Sequence, residues 1–144
     1  MDVAALIAWI ITALGGFYLL GTWIQHGGPR RNVGTRSNFP PPLVFSHFVL
    51  AALGLIIWII YLATDKKGWA WTAFGLLIVI ALLGFTMLIR WLPSYRTSTG
   101  GRVAQAVTGG PAERHFPVAV VAGHGALAVA TVVLVLLASA GVGS

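Results

Sequence analysis

The sequence contains no cysteine, so this chain has no disulfide bond, thiolate zinc site or cysteine-ligated iron–sulfur cluster. Histidine and methionine are the remaining soft metal ligands, with four and two copies in 144 residues. Charge is scarce as well: 8% of the residues are charged, whereas a soluble domain carries roughly 25%. With 58% hydrophobic residues, such a chain cannot cover a surface in water. The composition therefore indicates an integral membrane protein with no soluble domain.

Acidic residues are the scarcest charged type. The three of them, Asp2, Asp65 and Glu113, all lie outside the long apolar segments. A hydrolytic triad needs a buried acid that orients its histidine, so hydrolysis has no support in this sequence. A proton or ion pathway is also disfavoured, because no charged side chain lies in the interior of an apolar segment; Arg90 stands at the edge of the third. The net charge of +6 comes from loop residues that are not interleaved with aromatics, so nucleic acid is not an expected partner.

Four apolar segments, each about 20 residues long, have the length that crosses a bilayer. They cover residues 3–24, 43–64, 69–91 and 116–138. We predict an all-α protein with one transmembrane domain over residues 1–144, a four-helix bundle with up-down topology and short loops. The lipid bilayer is its expected surroundings. Pro93 is expected to end the third helix, and Trp23 to anchor the first helix at the membrane interface.

Basic residues predict the orientation of the bundle. The first and third loops carry most of them, whereas the second loop holds two lysines beside Asp65. The positive-inside rule therefore predicts that loops one and three are cytoplasmic, with both termini outside the plasma (inner) membrane. The arginines that decide this are Arg30, Arg31, Arg36, Arg96, Arg102 and Arg114, with Arg90 at the edge of the third segment.

Small and polar residues recur at helical spacing and predict which helix faces meet. The inward face of the second segment holds His47, and the inward face of the fourth holds His124. We expect both histidines to lie inside the bundle. The faces comprise Ala8, Thr12, Gly15, Thr22 and His26; His47, Ala51, Gly54, Trp58 and Tyr61; and Pro117, Val121, His124, Ala128, Thr131 and Val135.

His47 and His124 meet the conditions for a b-type haem, which two histidines on different helices hold in a helical bundle. Gly54 lies on the face of His47, and Gly123 and Gly125 flank His124, so small residues beside both ligands would admit the flat ring. An arginine at the cytoplasmic surface, Arg90 among the candidates, would pair with the propionates. The sequence thus favours an electron-transfer subunit with haem b between spans two and four.

The sequence is also compatible with other functions. A quinone or another small molecule would bind through a histidine beside Trp58 and Tyr61. In an accessory or scaffold subunit of a larger membrane complex without a cofactor, His124 would instead bond Thr12, Thr22, Ser46 or a backbone carbonyl across a helix interface. Transport and lipid handling are further alternatives. A metal site combining His115 with His124 is disfavoured, because nine residues turn a helix by about 900° and leave the two rings on opposite sides.

At His47 and His124 the chain resembles the small membrane-anchor cytochrome b subunits, such as those of succinate dehydrogenases. The likeness lies in four short-looped helices with one histidine on each of two helices. The resemblance implies that the two histidines are axial haem ligands and that a redox protein binds at the cytoplasmic face. The chain also resembles uncharacterised small four-helix membrane proteins of high-GC bacteria, which implies no activity.

Overall fold

A computed structural model describes residues 1–30, 37–100 and 111–142, with the side chains of residues 97–100 left aside. The described chain contains four long α-helices and one short 3-10 helix. They are α1 (Asp2–Gln25), α2 (Pro41–Thr64), α3 (Lys67–Gly100), the 3-10 helix η1 (Ala112–His115) and α4 (Val118–Ser139). All four α-helices are long and apolar enough to cross a membrane, which confirms the predicted all-α architecture of a multi-pass membrane protein.

Prolines and a tight turn set the ends of α2. Pro41 and Pro42 occupy its first turn, where the missing N–H groups leave no bond unmade. At the other end, Asp65 adopts a left-handed conformation with φ of 53°, and its N–H donates to the Tyr61 carbonyl at 2.8 Å. The chain then enters α3 at Lys67. This short connection makes α2 and α3 antiparallel neighbours.

The bundle consists of two helix pairs. The first helix packs mainly against the last, and α2 packs mainly against α3. In the described chain the backbones of α2 and α4 do not contact each other, so these helices lie diagonally across the bundle. We call the end where α1 stops and α2 and α4 begin the loop face, and the opposite end the terminal face. Each end has its own apolar cluster, centred on Trp23 and Trp91 at the loop face and on Trp58 at the terminal face.

The prediction that Pro93 ends the third helix was wrong, because α3 continues through this proline to Gly100. Proline removes one helical N–H donor and crowds the preceding turn. Contacts on both sides of Pro93 hold this part of the helix in place. The Trp91 indole N–H donates to the Glu113 carbonyl at 3.1 Å, and the Asn38 side chain donates to the Ser94 hydroxyl at 2.8 Å.

Trp23 is a core residue and does not form the interfacial anchor that the sequence predicted. Its side chain is 1% exposed, and its indole N–H donates to the Ser37 hydroxyl at 2.8 Å. The turn after α1 folds back over the ring so closely that a Cβ on Gly28 would lie 2.2 Å from the Trp23 Cε2 atom. Glycine at this position lets the chain bury an indole that would otherwise face the membrane interface.

Candidate functional site

The four histidines form two pairs, both in the half of the bundle that ends at the loop face. His47 of α2 and His124 of α4 have ring centroids 6.4 Å apart, with 62° between the ring planes. His26, at the end of α1, stacks on His115 of η1 at 3.8 Å and 14°. The inner pair joins the two diagonal helices, whereas the outer pair joins the end of α1 to η1.

The ring of His124 is held by α1. Its Nδ1–H donates to the Thr12 carbonyl at 2.8 Å. The ring also lies against Gly16, where a Cβ would come within 3.1 Å of the His124 Cε1 atom. About two turns further along α4 from His124, the Thr131 hydroxyl lies 3.3 Å from the Thr12 hydroxyl across the same helix interface. The small and polar face predicted for α1 therefore accommodates this imidazole.

The ring of His47 is held in the same way by α3. Its Nδ1–H donates to the Ile80 carbonyl at 3.0 Å. A Cβ on Gly84 would lie 3.2 Å from the His47 Cε1 atom, so glycine again allows close approach of the neighbouring helix. The Ile80 carbonyl can accept this bond in addition to its helical one, since a carbonyl oxygen has two lone pairs.

These bonds determine which ring nitrogen carries the proton and which one is free to act as an acceptor or ligand. A carbonyl only accepts hydrogen bonds, so Nδ1 carries the proton in both rings and the neutral imidazole presents an unprotonated Nε2. Neither Nε2 forms a hydrogen bond to the described residues. The same Nδ1–H to carbonyl bond orients most histidines that ligate metals. Two imidazoles that bind one metal from opposite sides, at about 2.0 Å per bond, hold their centroids roughly 6 Å apart. The observed 6.4 Å fits that spacing.

The other predicted site residues have varied surroundings. The space beside Gly54 is taken by Trp9, whose Cζ2 atom would lie 2.9 Å from an added Cβ. Gly123 and Gly125 have no described atom within 4 Å of an added Cβ, so space is open beside both. Arg90 is exposed at the loop face and donates to the Asn38 carbonyl at 3.0 Å. The Nη1 atom of Arg114 is buried and has no partner among the described groups.

A buried carboxylate at the loop face escaped prediction. Glu113 is 0% exposed, and its Oε1 and Oε2 atoms accept from the Asn38 N–H at 2.5 Å and the Ser37 hydroxyl at 2.9 Å. Its main chain also accepts the bond from Trp91. We call this set of bonds the Glu113 latch. It fixes η1, and with it the start of α4, against α3 and residues 37–38. No local sequence pattern marks this glutamate, because its partners come from distant parts of the chain.

The residues considered for a quinone pocket lie towards the terminal face. Trp58 and Tyr61 pack together with centroids 4.8 Å apart, and the Tyr61 hydroxyl donates to Asp2 at 3.3 Å. Eleven residues of α2 separate Trp58 from His47, or about 16 Å at 1.5 Å per residue. The structure therefore does not bring these aromatics together with a histidine.

Comparison of the chain with protein-family models, with curated proteins and with solved structures finds no match. Among the residues that the structure describes, no group of three or more His, Asp or Glu side chains is placed to hold a metal ion. The inner pair offers two nitrogen ligands, which is the number that a bis-histidine haem requires.

Proposed function

We propose that His47 and His124 are the axial ligands of a b-type haem and that the protein is a small electron-transfer subunit of a membrane complex. The observation that carries this proposal is the geometry of the inner pair. The centroid spacing is 6.4 Å, and both rings direct Nδ1 to a backbone carbonyl, which leaves both Nε2 atoms unprotonated and able to bind iron. The resemblance to cytochrome b anchor subunits supports the same assignment.

The helix arrangement supports the proposal independently of the ring geometry. Packed helices lie about 8–10 Å apart, so diagonal helices of a bundle are separated by roughly 11–14 Å. This is wide enough for two imidazoles with an iron porphyrin between them. Close approach of Gly16 and Gly84 to the Cε1 edges of the rings holds each histidine against its own neighbouring helix.

The chain's residues would orient the ligands and balance charge. The carbonyls of Thr12 and Ile80 hold the rings in position and increase the basicity of each Nε2. Arg114 has a buried Nη1 without a described partner, which suits it to pair with a propionate at the loop face; Arg90 is a second candidate. A bound haem would supply one-electron chemistry at its iron. We place the loop face in the cytoplasm at the plasma membrane, with a redox protein as the partner there.

A reduced-minus-oxidised visible spectrum of the purified protein, supplied with haem during expression, tests the proposal. We expect a Soret and an α-band that disappear in both His47→Ala and His124→Ala. His26→Ala is the matched control, since it removes a histidine from the outer pair and should keep the full spectrum. Folded wild-type protein without these bands, or bands that survive in His124→Ala, would contradict the assignment.

An accessory subunit without a cofactor is the second candidate, and one observation favours it. The bond from His124 to the Thr12 carbonyl joins α4 to α1 without any ligand. In a membrane, such interhelical bonds contribute on average about 0.6 kcal/mol. Under this alternative His124→Ala lowers stability by roughly this amount and changes no visible spectrum, so the same variants separate the two functions.

A further inference from the structure

The outer histidine pair is an exposed side-chain contact between the end of α1 and η1. His26 donates its Nδ1–H to the Thr22 carbonyl at 2.7 Å, and His115 donates its own to the Ala112 carbonyl at 3.2 Å. Each ring is therefore fixed to its own segment, and both are exposed on their outer side. The stack at 3.8 Å and 14° brings these two fixed rings face to face.

The charged groups around this stack are mostly positive. Arg114 is adjacent to His115 in η1, and Arg30 lies in the turn directly after His26. The helix α3, which packs against η1, carries Arg90 and Arg96 near the loop face. Partial burial is the main cause that lowers the pKa of His115, with smaller contributions from His26 and Arg114 and an opposing one from the Ala112 carbonyl. Arg31, Arg36 and Arg102 lie outside the described residues.

In the described part of the loop face, no acidic side chain neutralises these arginines. Glu113 is the acidic side chain there, and both of its carboxylate oxygens already accept bonds from Ser37 and Asn38. Asp2 lies at the terminal face, where it contacts Tyr61. A second proton on the stack would therefore meet like charge and find no described counterion.

We propose that the His26–His115 stack is a proton-sensitive contact that closes the α1 side of the loop face. Neutral rings stack and hold η1 against the end of α1. When both rings are protonated, two positive charges lie 3.8 Å apart beside Arg114 and repel each other, so the contact opens.

The Glu113 latch determines where the opening occurs. It fixes η1 to α3 and to residues 37–38 through bonds that do not involve either ring of the stack. Trp23, near the end of α1, also belongs to this set of bonds, because its indole N–H donates to the Ser37 hydroxyl that bonds Glu113. The His26 side chain bonds only within its own segment among the described hydrogen bonds. Acidification should therefore move the His26 end of α1 away from His115 and leave Trp23 and the contact between η1 and α3 in place. This behaviour does not depend on haem.

Distance measurement between two spin labels tests this proposal in the full chain, reconstituted in lipid nanodiscs. The absence of native cysteine makes the labels specific, and Gln25→Cys with Val118→Cys places them on exposed positions at the end of α1 and the start of α4. We expect one short distance at about pH 7.5 and a longer one that gains population towards about pH 5.5, on either side of the ordinary histidine pKa. Thr64→Cys with Val142→Cys forms the control pair at the terminal face and should not change.

Two background variants identify the group that titrates. His26→Phe with His115→Phe keeps two stacked rings that take up no proton, so the short distance should persist at both pH values. Glu113→Gln removes the one buried carboxylate nearby and should leave the acid transition in place. The proposal is overturned if the wild-type distance does not change, if the phenylalanine variant opens equally, or if Glu113→Gln abolishes the transition. An equal change in the control pair would overturn it too, as it would indicate general unfolding.

Discussion

Replacing Glu113 by alanine should destabilise the protein by about 2–3 kcal/mol, because each of two donors left unpaired costs about 1–3 kcal/mol. The donors are the Asn38 N–H and the Ser37 hydroxyl, at 2.5 Å and 2.9 Å from the carboxylate. Asn38 is exposed and Ser37 is half-buried, so water can replace part of what is lost. For this reason we expect the lower end of the summed range.

Glu113→Gln is the matched control for this prediction. Its amide oxygen can still accept from the Asn38 N–H, whereas the Ser37 hydroxyl already accepts from the Trp23 indole and the Phe39 N–H and cannot accept from the new amide as well. We therefore expect Glu113→Gln to cost about 1 kcal/mol, the typical net value of the one hydrogen bond it loses and less than alanine costs. Reversible unfolding in mixed micelles of mild detergent and dodecyl sulfate, followed by tryptophan fluorescence, measures both variants. If Glu113→Ala is as stable as the wild type, the latch does not hold the loop face. If glutamine costs as much as alanine, the negative charge matters more than the bonds.

Two further predictions concern pH and orientation. Because the pKa of His115 is lower in the folded chain than its ordinary value of 6.5, the folded protein takes up this proton less readily than the unfolded chain; stability should therefore be full above that pH and fall below it. His115→Gln should flatten this fall in unfolding experiments, and an unchanged slope would exclude His115 as its source. For the orientation, a single cysteine at Gly100 should resist an impermeant thiol reagent in intact cells, and labelling there would place the loop face outside.

Much of the fold could be predicted because apolar length and helical periodicity are local properties. The inward face of α2 shows this: Gly54, Trp58 and Tyr61 are buried, whereas Val49 is 58% exposed. The predictions for Trp23 and Pro93 were wrong because a segment distant in the sequence packs against each residue. Local propensity favours an interfacial Trp23 and a helix end at Pro93, and contacts from residues 37–38 and from η1 override both preferences.

The site could be predicted in part for the same reason. Helical spacing placed His47 and His124 on inward faces in the same half of the bundle, and the structure brings their rings together. The sequence did not indicate that His26 would stack on His115, because the position of η1 depends on Glu113, a residue whose partners lie about 20 to 76 positions away in the chain.

The pairing of the first helix with the last also has a consequence for biogenesis. A chain synthesised from its N-terminus releases α1 into lipid before its main partner α4 exists. During that interval the Thr12 hydroxyl is already satisfied within its own helix, by the Ala8 carbonyl at 2.7 Å. Helix association in a membrane follows insertion, so α4 would complete the α1 surface as the last step of assembly. Truncation before α4 should therefore leave a chain that inserts but keeps the small and polar surface of α1 open, which is the kind of intermediate that membrane quality control recognises.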